Sequence, residues 1–304
     1  MDEGARGTVS LDQMVVIAER HGLTPPVSVP RPWVGATSAV YPLADVVVKI
    51  PFDRPDAIRA VTIDAAIAPL ARSLGAHVPD LIAFDDSLRG LPVPHAVFRR
   101  VTCGTPLDRT GRSDSDRSVW GNVGRQLALI HAVTDPASVP IELRTFRQSP
   151  DVDPRPWVDA LHDGGLLSAD DARWLRELLD RIAPIVLGDE TPTLCHGDVS
   201  AANILVDGQD ASVLALIDWA GAGWLDPVWD FAGVPLEVVP WMLEGHRGVG
   251  PLPNDATAEA RICWCQIQTR IHAVRNSPES TSVRRRVAGD VARVRRFARS
   301  QGLA

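Results

Sequence analysis

Apolar and polar residues change period along this chain, and the changes divide it. Near the start, "SLDQMVVIAERHGL" carries helical spacing between Ser10, an N-cap with Gln13 three residues on as a capping box, and Gly22, a natural helix stop. From Val27 to Ile50 the pattern turns to short β-rich runs, "VSV", "SAVYPL" and "DVVVKI", parted by turn residues, which predicts an antiparallel meander. Pro55 then opens a helix that runs to Gly75, with Ile58, Val61, Ala65 and Ala68 as its apolar stripe. "DLIAFD" and "HAVFRRV" predict two more strands around the turn-rich "DSLRGLP".

After "TCGTPL" the helical period dominates in "RSVWGNVGRQLALIHAV", "RPWVDALHD" and "SADDARWLRELLDRIAPIV", the last capped by Ser168. Short strands interrupt it once, at 193–219. The expectation is an α+β chain in two lobes: residues 1–102 with an N-terminal helix, a five-stranded antiparallel sheet and one helix, and residues 103–304, mainly helical. The hinge falls near residues 99–104 and implies a cleft.

Composition narrows the class. The 304 residues have an ordinary globular balance, 45% hydrophobic and 23% charged, and the longest apolar run, "ASVLALI", is far short of the ~20 residues that span a bilayer. The acidic start without an apolar segment predicts a cytoplasmic protein with no membrane partner. Cys103, Cys195, Cys263 and Cys265 have no partners at metal spacing, so buried reduced thiols are expected and no zinc site. Seven arginines and one acid lie between Arg284 and Arg299, which leaves the first 280 residues at −13. An acidic body suits a cationic small substrate and argues against a nucleic-acid partner. The basic segment has its own stripe, Val283, Val287, Val291, Val294 and Ala298, and predicts an amphipathic helix packed on the body.

The chemistry concentrates in "HGDVSAAN". Asp198 and Asn203 have the H-x-D-x-x-x-x-N spacing of a protein-kinase catalytic loop, with Gly197 at the usual Arg position, and Asp218 follows in "IDW" at the end of an apolar run. Phosphoryl transfer needs a carboxylate to orient and deprotonate a hydroxyl, and oxygen ligands for Mg²⁺. Asp198 is the candidate base, Asn203 and Asp218 the metal ligands, and His196 a structural hydrogen-bonder. The chain's 31 basic residues include a single lysine, Lys49, on "VVVKI", where kinases place the lysine that holds the α- and β-phosphates. Asp64, beside the inward stripe of its helix, is the candidate partner acid, one methylene shorter than the usual Glu. No G-x-G-x-x-G precedes Lys49; Gly35, Thr37 and Ser38 in "GATSAVY" are the candidates for cradling phosphate, and Arg99 and Val101 at the hinge are expected to contact the nucleotide.

Residues 194–233, "LCHGDVSAANILVDGQDASVLALIDWAGAGWLDPVWDFAG", resemble the signature region of the aminoglycoside phosphotransferase family, and "GRQLALIHAV" and "RVTCGTPL" are similar to its other motifs. The resemblance covers about residues 30–235. It implies a protein-kinase-like fold, an Mg²⁺- and ATP- or GTP-dependent transfer to a hydroxyl of a small molecule, an antibiotic above all, and a role for Asp226 and Asp230 in supporting the catalytic loop. It also implies that acids after Asp230 bind substrate amines; Glu237, Trp241, Glu244, Asp255, Glu259 and Trp264 are the candidates, while the tryptophans would equally line an apolar macrolide pocket. A primary-metabolite kinase acting on choline-like, sugar or amino-alcohol acceptors, a catalytically silent kinase-like binder and a metallohydrolase are the alternatives. Monomer and dimer stay open.

Overall fold

The computed structural model describes residues 9–109, 116–139, 153–186, 191–210, 212–275 and 282–304. Helix α1 (Leu11–Arg20) has the expected box: the Gln13 N–H donates to Ser10 Oγ at 3.2 Å, and the Ser10 N–H to Gln13 Oε1 at 2.8 Å. Strands β1 (Trp33–Val34), β2 (Ser38–Leu43), β3 (Val46–Pro51), β4 (Leu81–Asp85) and β5 (His95–Arg99) form one antiparallel sheet in the order β1-β2-β3-β5-β4. Between β3 and β4 runs α2 (Pro55–Ser73), with Pro55 in its first turn and Gly75 at φ +92° just beyond its end.

One expected strand is absent. "VSV" is irregular, with Val27 97% exposed, and β1 begins only at Trp33. Pro25, Pro26, Pro30 and Pro32 surround it, and a proline has no N–H to give a sheet ladder, so the valines have no pairing to join.

The sheet separates two cores. Met14, Ile17 and Ala18 of α1 pack with Tyr41, Val46 and Val48 on one face. On the other, α2 buries Ala65, Ala68 and Ala71 in a core continuous with the C-lobe. An alanine face lets a helix come close to its neighbours, and this spacing matters at the active site.

The C-lobe comprises α3 (Arg117–His131), α4 (Arg155–Asp163), α5 (Ala169–Val186), α6 (Val239–Arg247), α7 (Ala258–Arg275) and α8 (Ser282–Ser300). Its short strands β6 (Gly104–Pro106), β8 (Ile204–Asp207) and β9 (Val213–Leu216) pair in that order, and β7 (Thr193–Cys195) pairs with β10 (Gly223–Leu225). Ser168 caps α5 through the Asp171 N–H at 3.1 Å. The stripe of α8 is buried from Val283 to Ala298 as its spacing predicts. Helices α3 and α6 cross at glycines: a Cβ on Gly124 would lie 1.9 Å from the Met242 carbonyl oxygen, and one on Gly245 equally close to that of Gly121. All four cysteines are free, but Cys103 is exposed, against the expectation of burial, because it sits in the link between the lobes at φ +65°. No helix among the described residues is long and apolar enough to cross a membrane.

Candidate active site

Between the lobes lies a cleft of about 790 Å³. The period-2 alternation of β3 aims Val47 and Lys49 into it, and Val40 from β2, Phe98 from β5 and Leu205 from β8 supply further apolar walls. Sequence spacing did not single out these plates, because no one of them differs from an ordinary core residue. Gly35, Ser38, Arg99 and Val101 line the cleft; Thr37 does not, and its carbonyl accepts the Phe52 N–H at 2.9 Å. The loop holding them is tight, with the Gly35 N–H donating to the Ser38 carbonyl at 2.9 Å.

Lys49 is 7% exposed and donates to Asp64 Oδ2 at 2.6 Å and to Asp218 Oδ1 at 2.8 Å. Burial alone would lower the pKa of this ammonium, but Asp64 and Asp218 outweigh it and hold the pKa above the ordinary lysine value. Asp64 is short for the task and compensates by approach. The alanine face of α2 brings its carboxylate close enough for Oδ1 also to accept the Trp219 N–H at 3.0 Å, so one side chain fixes both Lys49 and the backbone next to Asp218. Asp218 itself has left-handed backbone, φ 65° and ψ 65°, a conformation that Asp tolerates better than most residues.

The catalytic-loop segment is pinned from beneath. Asp230 is fully buried and accepts from the His196 N–H at 2.9 Å, the Gly197 N–H at 2.7 Å and His131 Nε2 at 2.9 Å. Its burial would favour the neutral acid, yet these donors prevail and its pKa is lowered. His131 comes from α3 and touches His246 of α6 at 3.1 Å, so the glycine crossing of these helices sets where Asp230's partner stands. His196 has one consistent tautomer: Nε2–H donates to the Ile217 carbonyl at 3.1 Å, and Nδ1 accepts the Asp198 N–H at 3.3 Å. It is a brace, packed against the Trp219 ring with centroids 4.4 Å apart. Gly197, at φ +78°, is required, since a Cβ would sit 1.9 Å from the Gly221 carbonyl oxygen. Asp226 does not join this hub; it caps the Val228 N–H and binds Arg261 of α7.

Asp198 is exposed and is not among the residues that line the cleft; it is joined to one that is, Asn203. Asn203 Nδ2 donates to its carboxylate at 3.0 Å and to its backbone carbonyl at 2.9 Å. Partial loss of hydration beside the loop raises the Asp198 pKa and the Asp218 charge adds to the rise, while the Asn203 amide opposes it. With its amide nitrogen on Asp198, Asn203 keeps its Oδ1 as an acceptor, and the Asp218 side chain is 40% exposed. One amide oxygen and one carboxylate are the hard donors that suit Mg²⁺, so the residues fit that ion.

The six acceptor candidates are not gathered in the cleft. Glu237 pairs with Arg293 and Arg296, Glu244 with Arg117, and both Asp255 and Glu259 with Arg247. Trp264 is buried in the C-lobe core, and Trp241 packs against it. An acid that looks free in one dimension is thus neutralised by an arginine brought in by the fold.

A profile of the "Phosphotransferase enzyme family" matches residues 28–261. No curated protein matches the chain in sequence. Among solved structures, a choline/ethanolamine kinase family protein from Mesorhizobium loti is 17% identical, covers 95% of this chain and 93% of its own, and superposes with a TM-score of 0.57. A macrolide 2′-phosphotransferase from Brachybacterium faecium is 20% identical, over 92% and 98% of the two chains, with a TM-score of 0.57. A GDP and kanamycin complex of an aminoglycoside 2″-phosphotransferase is 16% identical, over 95% and 97%, with a TM-score of 0.58. These likenesses establish the protein-kinase-like fold, and with the profile match over most of its length the chain belongs to the phosphotransferase enzyme family.

Proposed function

We propose that the protein is a cytoplasmic kinase that transfers the γ-phosphoryl group of ATP or GTP to a hydroxyl of a small-molecule antibiotic of the aminoglycoside or macrolide kind. The observation that carries the reading is the continuous set of bonds from Asp64 through Lys49 to Asp218, with Asp198 and Asn203 joined beside it. Lys49 would neutralise the nucleotide's α- and β-phosphates, and Asp64 would hold it in place. Asp198 would orient the acceptor hydroxyl and take its proton as the oxygen attacks phosphorus. Asn203 and Asp218 would hold Mg²⁺, which when bound neutralises charge on the β- and γ-phosphates. The apolar plates of the cleft suit a flat nucleobase.

One observation favours a second reading, a kinase for a smaller metabolite of the choline, sugar or amino-alcohol kind. The acids proposed to meet a polycationic drug are paired with arginines, which weakens the case for that class of acceptor. The test is nucleotide consumption across a panel of antibiotics and metabolites, with mass spectrometry for the gain of one HPO₃ group. Phosphorylation of an aminoglycoside or macrolide, with drug protection in a host strain, supports the first reading; turnover confined to metabolites supports the second, and turnover with none of them refutes both.

A further inference from the structure

On the α1 side of the sheet, three potential ligands meet. His95 Nε2 and His21 Nε2 face one another at 2.9 Å, and Asp85 Oδ2 lies 4.0 Å from His21 Nε2. Asp85 and His95 are direct cross-strand partners on β4 and β5, so their spacing is set by the sheet ladder. His21 arrives from the C-cap of α1, where the helix presents its negative end. His95 and Asp85 are buried and His21 is half-buried. Among the described residues, one other group could gather around a metal, His131, Cys195 and Asp230, but Asp230 and His131 there are committed to the loop-pinning bonds.

We propose that His21, His95 and Asp85 form a site for a divalent transition metal ion of the Zn²⁺ class, which ties α1 to the end of the β4–β5 pair where residues 86–94 connect the strands. Two imidazole nitrogens and a carboxylate oxygen, with a fourth position open to water, form a common zinc donor set. Ligand nitrogens about 2.0 Å from a tetrahedral ion stand ~3.3 Å apart, so the two rings need to part only slightly. Burial, the largest cause for each ring, lowers both histidine pKa values, His95 to about 4, in the direction that favours the metal-binding neutral form. Without metal, two neutral rings satisfy each other by a single shared proton. The competing cation is Arg20, whose Nε contacts Asp85 Oδ2. Its side chain is 32% exposed and free to swing into water, whereas Asp85 Oδ1 is retained by the Ser87 N–H at 2.9 Å. Metal and Arg20 thus compete for one oxygen, and removal of the guanidinium is expected to tighten metal binding.

The experiment titrates the purified full chain with Zn²⁺ alone and with Co²⁺ as its spectroscopic stand-in. The expected result is one saturable equivalent with the visible absorbance of nitrogen-ligated Co²⁺, and a rise in Tm with Zn²⁺. His21→Gln, at the half-buried position, is expected to lose at least about tenfold in affinity and to lose the Tm rise, because a ligand is gone. Arg20→Gln is expected to shift affinity the other way. Absence of a saturable equivalent, an affinity unchanged in His21→Gln, or weaker binding in Arg20→Gln would each overturn the proposal. His95→Gln adds a second ligand test, read only on variant shown by circular dichroism to be folded.

Discussion

Asp230→Asn isolates the support beneath the catalytic loop. The native carboxylate is fully buried and serves three donors, the His196 and Gly197 N–H groups and His131 Nε2. An amide of the same shape keeps one acceptor oxygen and turns an NH₂ group toward at least one of those donors. Breaking a buried charge-assisted set from one side costs about 3–5 kcal/mol, which at about 2–4 °C per kcal/mol lowers Tm by on the order of 10 °C. The pH dependence gives the sign. Asp230's folded pKa is lowered, so its contribution is present above the unfolded carboxylate value of about 3.9 and is lost as pH falls through the depressed folded value. The gap between wild type and variant should therefore be full at neutral pH and close below about pH 4. Thermal melts across pH, beside steady-state kinetics, are the assay: kcat should fall because Asp198 loses its platform, while nucleotide affinity persists because Lys49 and Asp64 are held separately. A Tm within two or three degrees of wild type at pH 7, or a gap that widens in acid, would refute the reasoning.

Three other predictions follow from particular contacts. The raised pKa of Asp198 predicts that the acid limb of kcat/KM lies above the ordinary carboxylate range; a pH profile still flat down to about pH 4 would contradict its role as base. Lys49→Arg keeps the charge but cannot fit a planar fork between Asp64 and Asp218, and should lose at least about tenfold in kcat/KM. Near-normal turnover would mean that the lysine is incidental there. Gly124→Ala drives a methyl into the Met242 carbonyl and should destabilise by on the order of 3 kcal/mol, read by urea unfolding, whereas Gly289→Ala, which meets nothing, should be neutral or slightly stabilising.

The parts of this fold that were legible in the sequence are those written in local pattern. The Ser10–Gln13 box, the Pro55 helix start and the α8 stripe each needed only neighbouring residues, and each is found in place. The "VSV" run failed because β propensity was counted without the prolines that deny it a ladder. At the site, kinase spacing singled out Asp198, Asn203, Asp218 and Lys49, and the fold bonds Lys49 to Asp218 and Asn203 to Asp198. Asp64 was readable as a residue but not in its second bond, to the Trp219 N–H, because how closely α2 approaches depends on the packing of its alanine face. The arginine partners of the acceptor candidates were hidden for the same reason: Arg117 and Glu244 are 127 residues apart, and nothing local reports that they meet. His21 and His95, 74 apart, come together only through the docking of α1 on the sheet.

The central claim is that Asp198 takes the proton of an acceptor hydroxyl in a phosphoryl transfer supported by Lys49, Asn203 and Asp218. The most direct measurement compares Asp198→Ala with wild type in single-turnover transfer to whichever acceptor the panel identifies, alongside nucleotide affinity and the melting curve. The predicted result is a loss on the order of 10²-fold or more in the chemical step, with nucleotide affinity and Tm close to those of wild type because Asp198 is exposed and does not line the cleft. A variant that keeps more than about a tenth of the wild-type rate would contradict the assignment of the base.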